Sequence, residues 1–397
     1  MRIQITKTLN LPDIVKLERF RRSPDLGPKI LFFSGGTALR DTSLELVSYT
    51  HNSIHIITPF DSGGSSALLR EAFEMPAIGD VRNRLLALAD RTLHGNPEIF
   101  RLFAHRFPKD GNPDDLSAEL ADMISGKHFL VKDIPDPMRK IIRQHLELFR
   151  RYMPDSFDLR KASMGNLILA AGYLSSFRNF DTIIYIFSKL VQVRGIVRPV
   201  INKYLHLITE LEDGRILAGQ HLLTGKESSP ISARVKKVFL SDSRENPVPA
   251  HVRIREKMTK LIGEADLICY PIGSFYSSLI ANLLPEGVGT AIAQNPCPKV
   301  FIPNTGCKDP ETYGLSLMEQ AERLTDYLRK DNPEEISPKD VLNFVLMDRE
   351  KGNYSGELNE KSLISADIRI LDLPLVTPQS HPYIDEKLLA SVLLSLT

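Results

Sequence analysis

Three short segments near the start of the chain combine glycines with carboxylate, hydroxyl and guanidinium side chains. They are residues 35–37, residues 61–66 and residues 79–83. Glycines let a ligand approach the backbone closely, and free N–H groups at the start of a helix bind phosphate. Asp61 could hold Mg²⁺ or a ribose hydroxyl, and Arg82 could bind phosphate through two parallel hydrogen bonds. Together the segments predict a nucleotide or phosphate site.

Several of these residues also have a purely structural interpretation. The glycine pair at 35–36 fits an ordinary tight turn, Asp61 fits the cap of the next helix, and Asp80 fits a cap or a turn. Two glycine loops in tandem favour a functional site over the turn. Ser163 stands at the start of an apolar helical pattern, so a helix cap is the first prediction for it and ligand contact the second.

Apolar runs that precede the glycine segments predict the strands of a parallel sheet. Residues 30–33 and 267–270 are continuously apolar, and residues 54–57 are apolar except for His55, which is typical of strands buried on both faces. The third run leads to Gly273 and Ser274, which could close the other side of the same site. Loops at the carboxyl ends of the strands meet at one edge of an open α/β sheet. The sequence therefore predicts an α/β protein with its site at that edge.

Other segments have different patterns. Residues 116–124 and 137–152 have a helical period, which predicts a helical insertion that could form a lid or an oligomer surface, such as that of a homodimer. Residues 205–218 predict a β-hairpin with an Asp-Gly turn, and residues 235–240 predict a further strand. Residues 75–83 are predicted to form a loop before the next helix.

Length and composition narrow the class of protein. The chain has 397 residues, which suggests two or three lobes, and its net charge of +1 gives no reason to expect nucleic-acid or membrane binding. Three cysteines, Cys269, Cys297 and Cys307, argue against a disulfide framework or a structural zinc site. No segment has the length and apolarity of a membrane span, and the N-terminus lacks the apolar core of a signal peptide. The prediction is a soluble cytoplasmic protein.

The polar and glycine-rich segments also carry a family signature. The segments that carry it are residues 35–37, 61–66, 79–83, 163–167 and 273–278. They resemble the CofD-like superfamily, which joins the 2-phospho-lactate transferases of deazaflavin-cofactor synthesis with the YvcK-type gluconeogenesis factors. The likeness extends over residues 29–107 and 160–350. The Gly-Gly-Ser-Ser and Gly-Asp-x-Arg-Asn forms of two segments make the chain more similar to the YvcK type.

The resemblance implies a Rossmann-like three-layer α/β fold with a mostly parallel sheet. The sequence pattern adds a helical insertion and a small β-containing subdomain, and the insertion and the N-terminal extension are atypical of the family. The predicted divisions are an N-terminal extension at 1–28, a nucleotide-binding half at 29–107, the helical insertion at 108–162, the remainder of the domain at 163–350 and a C-terminal segment at 351–397, packed on the core.

The resemblance also implies the roles of individual residues. Catalytic roles fall to Asp61, Asp80 and Arg82, with Asp61 as the ligand of a Mg²⁺ cofactor. The ligand-binding residues that it implies are Gly35, Gly36, Thr37, Gly63, Gly64, Ser65, Asn83, Ser163, Asn166, Gly273 and Ser274.

The chain departs from the YvcK pattern at several positions. The differences are Ser34 and Ala38 in place of glycines, Ser62 in place of a second Asp, Lys161-Ala162 in place of Gly-His, and Pro271-Ile272 in place of Gly-Pro. The change at position 62 weakens a metal site. The lost histidine removes a candidate acid or base.

Two functions remain open at this stage. The first is a binding protein for a nucleoside diphosphate or a UDP-sugar-like nucleotide sugar, with a metabolic or regulatory role in carbon or cell-wall metabolism. The second is a Mg²⁺-dependent transferase, which would move a phosphoryl-linked group from a GDP-type donor to an alcohol acceptor. The YvcK-like segments favour binding. A scaffold without a ligand is disfavoured, because the Gly-Asp-x-Arg-Asn segment is kept.

Overall fold

A parallel β-sheet at the centre of the molecule organises the rest of the chain. The structure is a computed structural model, and it describes residues 8–92, 95–225, 229–306, 309–356 and 360–397. The strands are β1 (Ile30–Ser34), β2 (Ile54–Ile57), β3 (Ile196–Pro199), β4 (His206–Leu211), β5 (Ile216–Ala218), β6 (Val235–Ser241), β7 (Leu267–Tyr270), β8 (Lys299–Phe301), β9 (Phe344–Met347) and β10 (Arg369–Asp372).

Helices fill most of the connections between the strands. The first ten are α1 (Ile14–Arg22), α2 (Arg40–Leu46), α3 (Gly64–Phe73), α4 (Gly79–Ala87), α5 (Pro97–Ala104), α6 (Pro113–Ser125), α7 (Phe129–Lys132), α8 (Met138–Tyr152), α9 (Met164–Ser175) and α10 (Phe180–Leu190). The others are α11 (Gln220–Leu223), α12 (Glu256–Gly263), α13 (Ala281–Leu283), α14 (Val288–Gln294), α15 (Leu317–Arg329), α16 (Pro338–Val341), α17 (Lys361–Ser365) and α18 (Glu386–Ser395). A π-helix (Phe275–Ile280) precedes α13, and 3₁₀ turns lie at Pro24–Leu26 and Pro310–Thr312.

The strand order of the central sheet identifies where a ligand would bind. Seven strands lie in the order β10-β9-β8-β7-β1-β2-β3, and each neighbouring pair is parallel. The chain winds outward from β1 through β2 to β3, and then outward in the other direction from β7 to β10. The winding therefore reverses between β1 and β7, which is the Rossmann-like arrangement with its ligand crevice at the reversal. The predicted α/β class and the parallel sheet are confirmed.

Both faces of the sheet are covered, which explains the continuous apolar runs. In β1, Ile30 and Phe32 pack with residues of α1, α2 and α18. The alternate residues Leu31 and Phe33 pack with α12 to α15 and with the second sheet. All four side chains are fully buried, since successive residues of a strand point to opposite faces.

The second sheet is small and antiparallel. Its order is β5-β4-β6, and β4 and β5 form a hairpin around Asp213 and Gly214. Gly214 has φ +88°, the left-handed conformation that a tight Asp-Gly turn requires. The predicted hairpin and the strand after it are confirmed. Cys307 lies outside the described residues.

The helical insertion is part of the hydrophobic core. Helices α6 to α8 bury Leu120, Leu146 and Phe149 in the same cluster as Ile57 of β2 and Val81 of α4. None of the described residues of these helices lines the cleft beyond the carboxyl ends of β1, β2 and β7. Their apolar face packs on α5 and α9. The lid and the homodimer surface both stay predictions.

One predicted loop is partly helix. Residues 79–83 form the first turns of α4 and not a turn before it. The polar Gly-Asp-x-Arg-Asn sequence imitates a loop, but the apolar face of Val81, Leu85 and Leu88 begins inside it. No helix among the described residues is long and apolar enough to cross a membrane.

Candidate functional site

A cleft of about 420 Å³ opens beyond the carboxyl ends of β1, β2 and β7. This volume is typical of small-molecule sites. Its walls are the loops after those strands, the first turns of α3 and α4, and α11. The predicted site residues that line it are Gly35, Gly36, Thr37, Asp61, Gly63, Gly64, Ser65, Asp80, Arg82, Asn83, Asn166, Gly273 and Ser274.

Ser163 lies beneath the lining of the cleft. It occupies the predicted cap position of α9, but its hydroxyl accepts a hydrogen bond from Nη1 of Arg82 at 2.5 Å. Nη2 of Arg82 donates to Oδ1 of Asn83, also at 2.5 Å. Ser163 is fully buried. Its side chain therefore positions Arg82 and does not cap the helix as predicted.

The glycines of the site are places where backbone segments touch. A Cβ atom on Gly36 would lie 2.4 Å from Oδ1 of Asp80 and 2.9 Å from its Cα. A Cβ atom on Gly79 would lie 2.4 Å from Oγ of Ser66 and 3.8 Å from Oδ2 of Asp61. The loop after β1 and the first turns of α3 and α4 therefore converge too closely for side chains at these positions.

Arg84, a fully buried residue of α4, fixes the loop after β1. Its Nη2 donates to the carbonyl of Gly35 at 3.0 Å and to Oγ of Ser34 at 3.4 Å, and its Nη1 donates to the carbonyl of Leu39 at 3.0 Å. Burial lowers the pKa of Arg84 to about 10, while the nearby Asp80 carboxylate raises it. The guanidinium therefore stays charged at neutral pH. It holds both ends of the glycine loop.

Sequence reasoning missed Arg84, although a signal was present. Position 84 lies on the same helical face as Val81, Leu85 and Leu88. A charged residue on an apolar face is rarely buried without hydrogen-bond partners. An arginine on the apolar face of a helical pattern therefore indicates a buried residue with a structural role.

Arg70 of α3 performs the same task for the loop after β2. Its Nη1 donates to the carbonyl of Pro59 at 3.0 Å, and its Nη2 donates to the carbonyl of Leu205 at 2.7 Å. Burial lowers the pKa of Arg70 to about 10. Because Leu205 directly precedes β4, this side chain ties the cleft loop to the small sheet.

Two guanidinium groups give the cleft a positive wall. Arg106, which sequence reasoning also missed, lines the cleft beside Arg82 and donates to Oγ of Ser65 at 3.2 Å and to the carbonyl of Lys161 at 2.6 Å. Burial lowers the pKa of Arg82 to about 10, the charge on Arg106 lowers it further, and Asp80 opposes both. An anion placed between the two would relieve this repulsion.

The third wall comes from α11. Gln220, His221 and Thr224 line the cleft, and His221 is hydrogen-bonded to Ser62 of the loop after β2. Among the described residues, Oε1 of Gln220 and Oδ1 of Asn166 are buried without a hydrogen-bond partner. Buried polar atoms are nearly always paired, so these two amides are suited to hydrogen bonds with a ligand. No sequence pattern connected α11 to the site.

Glu311 supports the segment after β7. Its Oε2 accepts hydrogen bonds from the backbone N–H groups of Tyr276 and Ser277, each at 2.8 Å, and its Oε1 accepts one from Oγ of Ser277. Burial, with the nearby Asp309 carboxylate, raises the pKa of Glu311 to about 8. This carboxyl therefore binds the start of the π-helix, immediately after Gly273 and Ser274.

The carboxylates of the cleft suit a metal held jointly with a ligand. Within the described part of the chain, no group of three or more His, Cys, Asp or Glu side chains could hold a metal ion by itself. Mg²⁺ usually takes one or two protein carboxylates and completes its shell with water and ligand phosphates. Asp61 and Asp80 both line the cleft and fit that mode of binding.

The fold and the cleft together define a Rossmann-like α/β protein with a glycine-lined crevice at the reversal of winding, and two arginines and two aspartates line that crevice. The chain belongs to the CofD family: the family model described as 2-phospho-L-lactate transferase CofD matches residues 30–372. That range runs from the first residue of β1 to the last of β10.

Similar proteins agree with this placement. A protein named gluconeogenesis factor from Bacillus subtilis (strain 168) is 30% identical over 326 residues, which cover 79% of this chain and 82% of the relative. Another of that name from Halalkalibacterium halodurans is 31% identical over 299 residues, with 75% and 73% covered. A crystal structure of a UPF0052 family member from Bacillus halodurans has the same fold, with a TM-score of 0.66 at 24% identity, covering 93% of this chain and 99% of that one. The predicted resemblance is confirmed.

The role of Arg84 can be tested by Arg84→Met. The variant leaves the carbonyls of Gly35 and Leu39 without their charged donor, so we expect a loss of about 1.5–3 kcal/mol in the free energy of unfolding, measured by urea denaturation. Arg150→Met on α8 is the matched control, because its partner Glu147 forms an exposed ion pair that contributes little. Equal stability of the two variants would contradict the role.

The role of Glu311 can be tested through the pH dependence of stability. Its folded-state pKa of about 8 lies above the ordinary value of 4.5, so its contribution is complete below about pH 4.5 and is lost as the pH rises through about 8. Glu311→Gln keeps an oxygen that accepts from the two backbone N–H groups and removes the charge, while its NH2 group donates to Oγ of Ser277. We therefore expect urea denaturation to show a smaller loss of stability between about pH 5 and about pH 9 in the variant than in the wild type. Glu322→Gln, at an exposed position of α15, serves as the control; the same loss in all three proteins would contradict the role.

Proposed function

We propose that this chain binds a nucleoside diphosphate or a UDP-sugar-like nucleotide sugar in the cleft and serves as a metabolic or regulatory sensor. The observation that carries the proposal is the meeting of two guanidinium groups, Arg82 and Arg106, with the first turns of α3 and α4 in one cleft. Cations and helix N-termini both favour phosphate. The guanidinium groups and the helix N-termini are two separate sources of positive potential. They therefore suit a ligand with two phosphate groups better than a ligand with a single phosphate.

The uncharged part of such a ligand has partners as well. The amides of Asn166 and Gln220 each have an unpaired buried oxygen at the cleft, which could accept hydrogen bonds from sugar hydroxyls or from a base. Asp61 and Asp80 could accept from ribose hydroxyls, as acidic residues do in Rossmann-like dinucleotide sites. A ligand with both phosphates and hydroxyls therefore matches the lining.

The choice between sensor and transferase rests on different observations. The relatives reported above are named gluconeogenesis factor, which favours a role in carbon metabolism. The family model is named for a transferase, and Asp61 in the cleft keeps the second function open. A Mg²⁺ held by Asp61 and the ligand phosphates would neutralise charge on the diphosphate. Arg82 and Arg106 would then orient the same phosphates in either function.

Thermal unfolding with a ligand panel tests binding. The panel is UDP-N-acetylglucosamine, UDP-glucose, UDP, GDP and GTP, each with and without Mg²⁺. A ligand at about a hundred times its Kd adds about 2.7 kcal/mol to the free energy of unfolding, so we expect a raised Tm with at least the UDP compounds. A Mg²⁺-dependent shift with guanosine nucleotides would favour the transferase. An unchanged Tm with every compound would contradict the proposed function.

Matched variants locate the binding. Arg106→Ala should weaken the ligand that shifts the Tm by about 1.5–3 kcal/mol, measured by calorimetry, and Arg150→Ala on α8 should leave its affinity unchanged. Asp61→Asn separates the two functions. Loss of Mg²⁺-dependent turnover with intact binding supports transfer, and loss of binding with no turnover in the wild type supports the sensor.

A further inference from the structure

Ser62 and His221 form a pair that joins two walls of the cleft. Oγ of Ser62 lies 2.8 Å from Nδ1 of His221, and the backbone N–H of His221 donates to the same Oγ at 3.2 Å. Ser62 belongs to the loop after β2 and His221 to α11, which are 159 residues apart. Ser62 is only 6% exposed, so its hydroxyl is withdrawn from water.

The hydroxyl of Ser62 selects the proton position on the His221 ring. A hydroxyl has one hydrogen to donate and lone pairs that accept. The backbone N–H of His221 occupies one lone pair. Within the described residues the only acceptor that the hydroxyl hydrogen reaches is Nδ1. If Nδ1 carried a hydrogen, the buried hydroxyl hydrogen would be unpaired, which is unfavourable for a buried donor. The neutral imidazole therefore carries its hydrogen on Nε2.

The backbone next to Ser62 and His221 leaves room for their hydrogen bond. Gly219 has φ +124°, and a Cβ atom on it would lie 3.0 Å from both Oγ of Ser62 and Nδ1 of His221. A side chain at position 219 would therefore be strained and would crowd the hydrogen bond. The opposite ring nitrogen, Nε2, has no hydrogen-bond partner among the residues that the structure describes, and His221 lines the cleft.

We propose that His221 is a ligand-binding residue supplied by α11, and that Ser62 holds it as a hydrogen-bond donor through Nε2–H. This inference rests on the proposed function. It assigns to Nε2–H of His221 a hydrogen bond with a phosphate or sugar oxygen of the ligand. With its hydrogen on Nδ1, the neutral ring would present a lone pair at Nε2, which cannot donate to a phosphate oxygen. The hydroxyl of Ser62 therefore holds Nε2 as the donor.

The proton position can be read in the free protein. Long-range ¹H–¹⁵N correlation spectra distinguish the two neutral tautomers, and the His221 signals are assigned by their loss in His221→Gln. At about pH 8, where imidazole is ordinarily neutral, we expect the hydrogen on Nε2 in the wild type. A hydrogen on Nδ1 would overturn the proposal without any reference to a ligand.

A matched pair of variants tests the ligand contact. The amide of Gln reaches the place of Nε2, whereas the amide of Asn reaches the place of Nδ1. We expect His221→Gln to bind UDP nearly as tightly as the wild type, and His221→Asn to bind it about 10- to 100-fold more weakly, by calorimetry with the folded state of each checked by urea denaturation. Wild-type affinity in the Asn variant, or an equal loss in both, would overturn the donor role.

Failure of the proposed function would look different from failure of this inference. If the wild type binds neither UDP, GDP nor inorganic diphosphate, the function proposed for the cleft is wrong and the ligand contact is lost with it. If the wild type binds UDP and the Asn variant binds it equally well, only the assignment to His221 is wrong.

Discussion

The cleft depends on the burial of positive charge beneath it. Arg70, Arg82 and Arg84 are all buried, and burial lowers the pKa of each to about 10. A buried guanidinium costs several kcal/mol unless its donors are satisfied. The Nη groups of Arg70 and Arg84 donate to carbonyl oxygens of the loops that shape the site, and those of Arg82 donate to side-chain oxygens of Ser163 and Asn83. The Nε of each arginine is buried without a partner among the described residues. Arg70 and Arg84 therefore hold the loops from beneath, and Arg82 carries positive charge into the lining of the cleft.

Much of the fold could be predicted because it depends on local patterns. The apolar runs at 30–33, 54–57 and 267–270 are strands β1, β2 and β7, since strands buried on both faces need no polar alternation. The glycine segments that follow them meet because the carboxyl ends of parallel strands share one edge. The start of α4 could not be predicted, because glycine and polar residues at 79–83 are also typical of a loop. The resemblance supplied the list of site residues, and the cleft gathers those residues with Ser163 just beneath.

The rest of the site could not be predicted because it depends on contacts between distant parts of the chain. His221 and Gln220 reach the cleft on a short helix between β5 and β6 of the small sheet, and Arg106 reaches it from just beyond α5. No periodicity brings position 221 next to position 62; only the packed small sheet does. The histidine that the family pattern places at Ala162 is missing, yet the cleft contains a histidine from another element. A residue-by-residue comparison therefore described the chemistry of this site incompletely.

Hydrogen exchange with bound UDP tests the central claim most directly. The claim is that the phosphates bind in the cleft against Arg82, Arg106 and the first turns of α3 and α4, beside the glycine loop after β1 that lines the same cleft. With UDP at about a hundred times its Kd, peptides covering residues 34–40, 61–67 and 78–84 should all exchange more slowly, while a peptide from residues 138–152 of α8 should not change. UDP binding that leaves these three segments unprotected, or that protects only segments away from the cleft, would contradict the account.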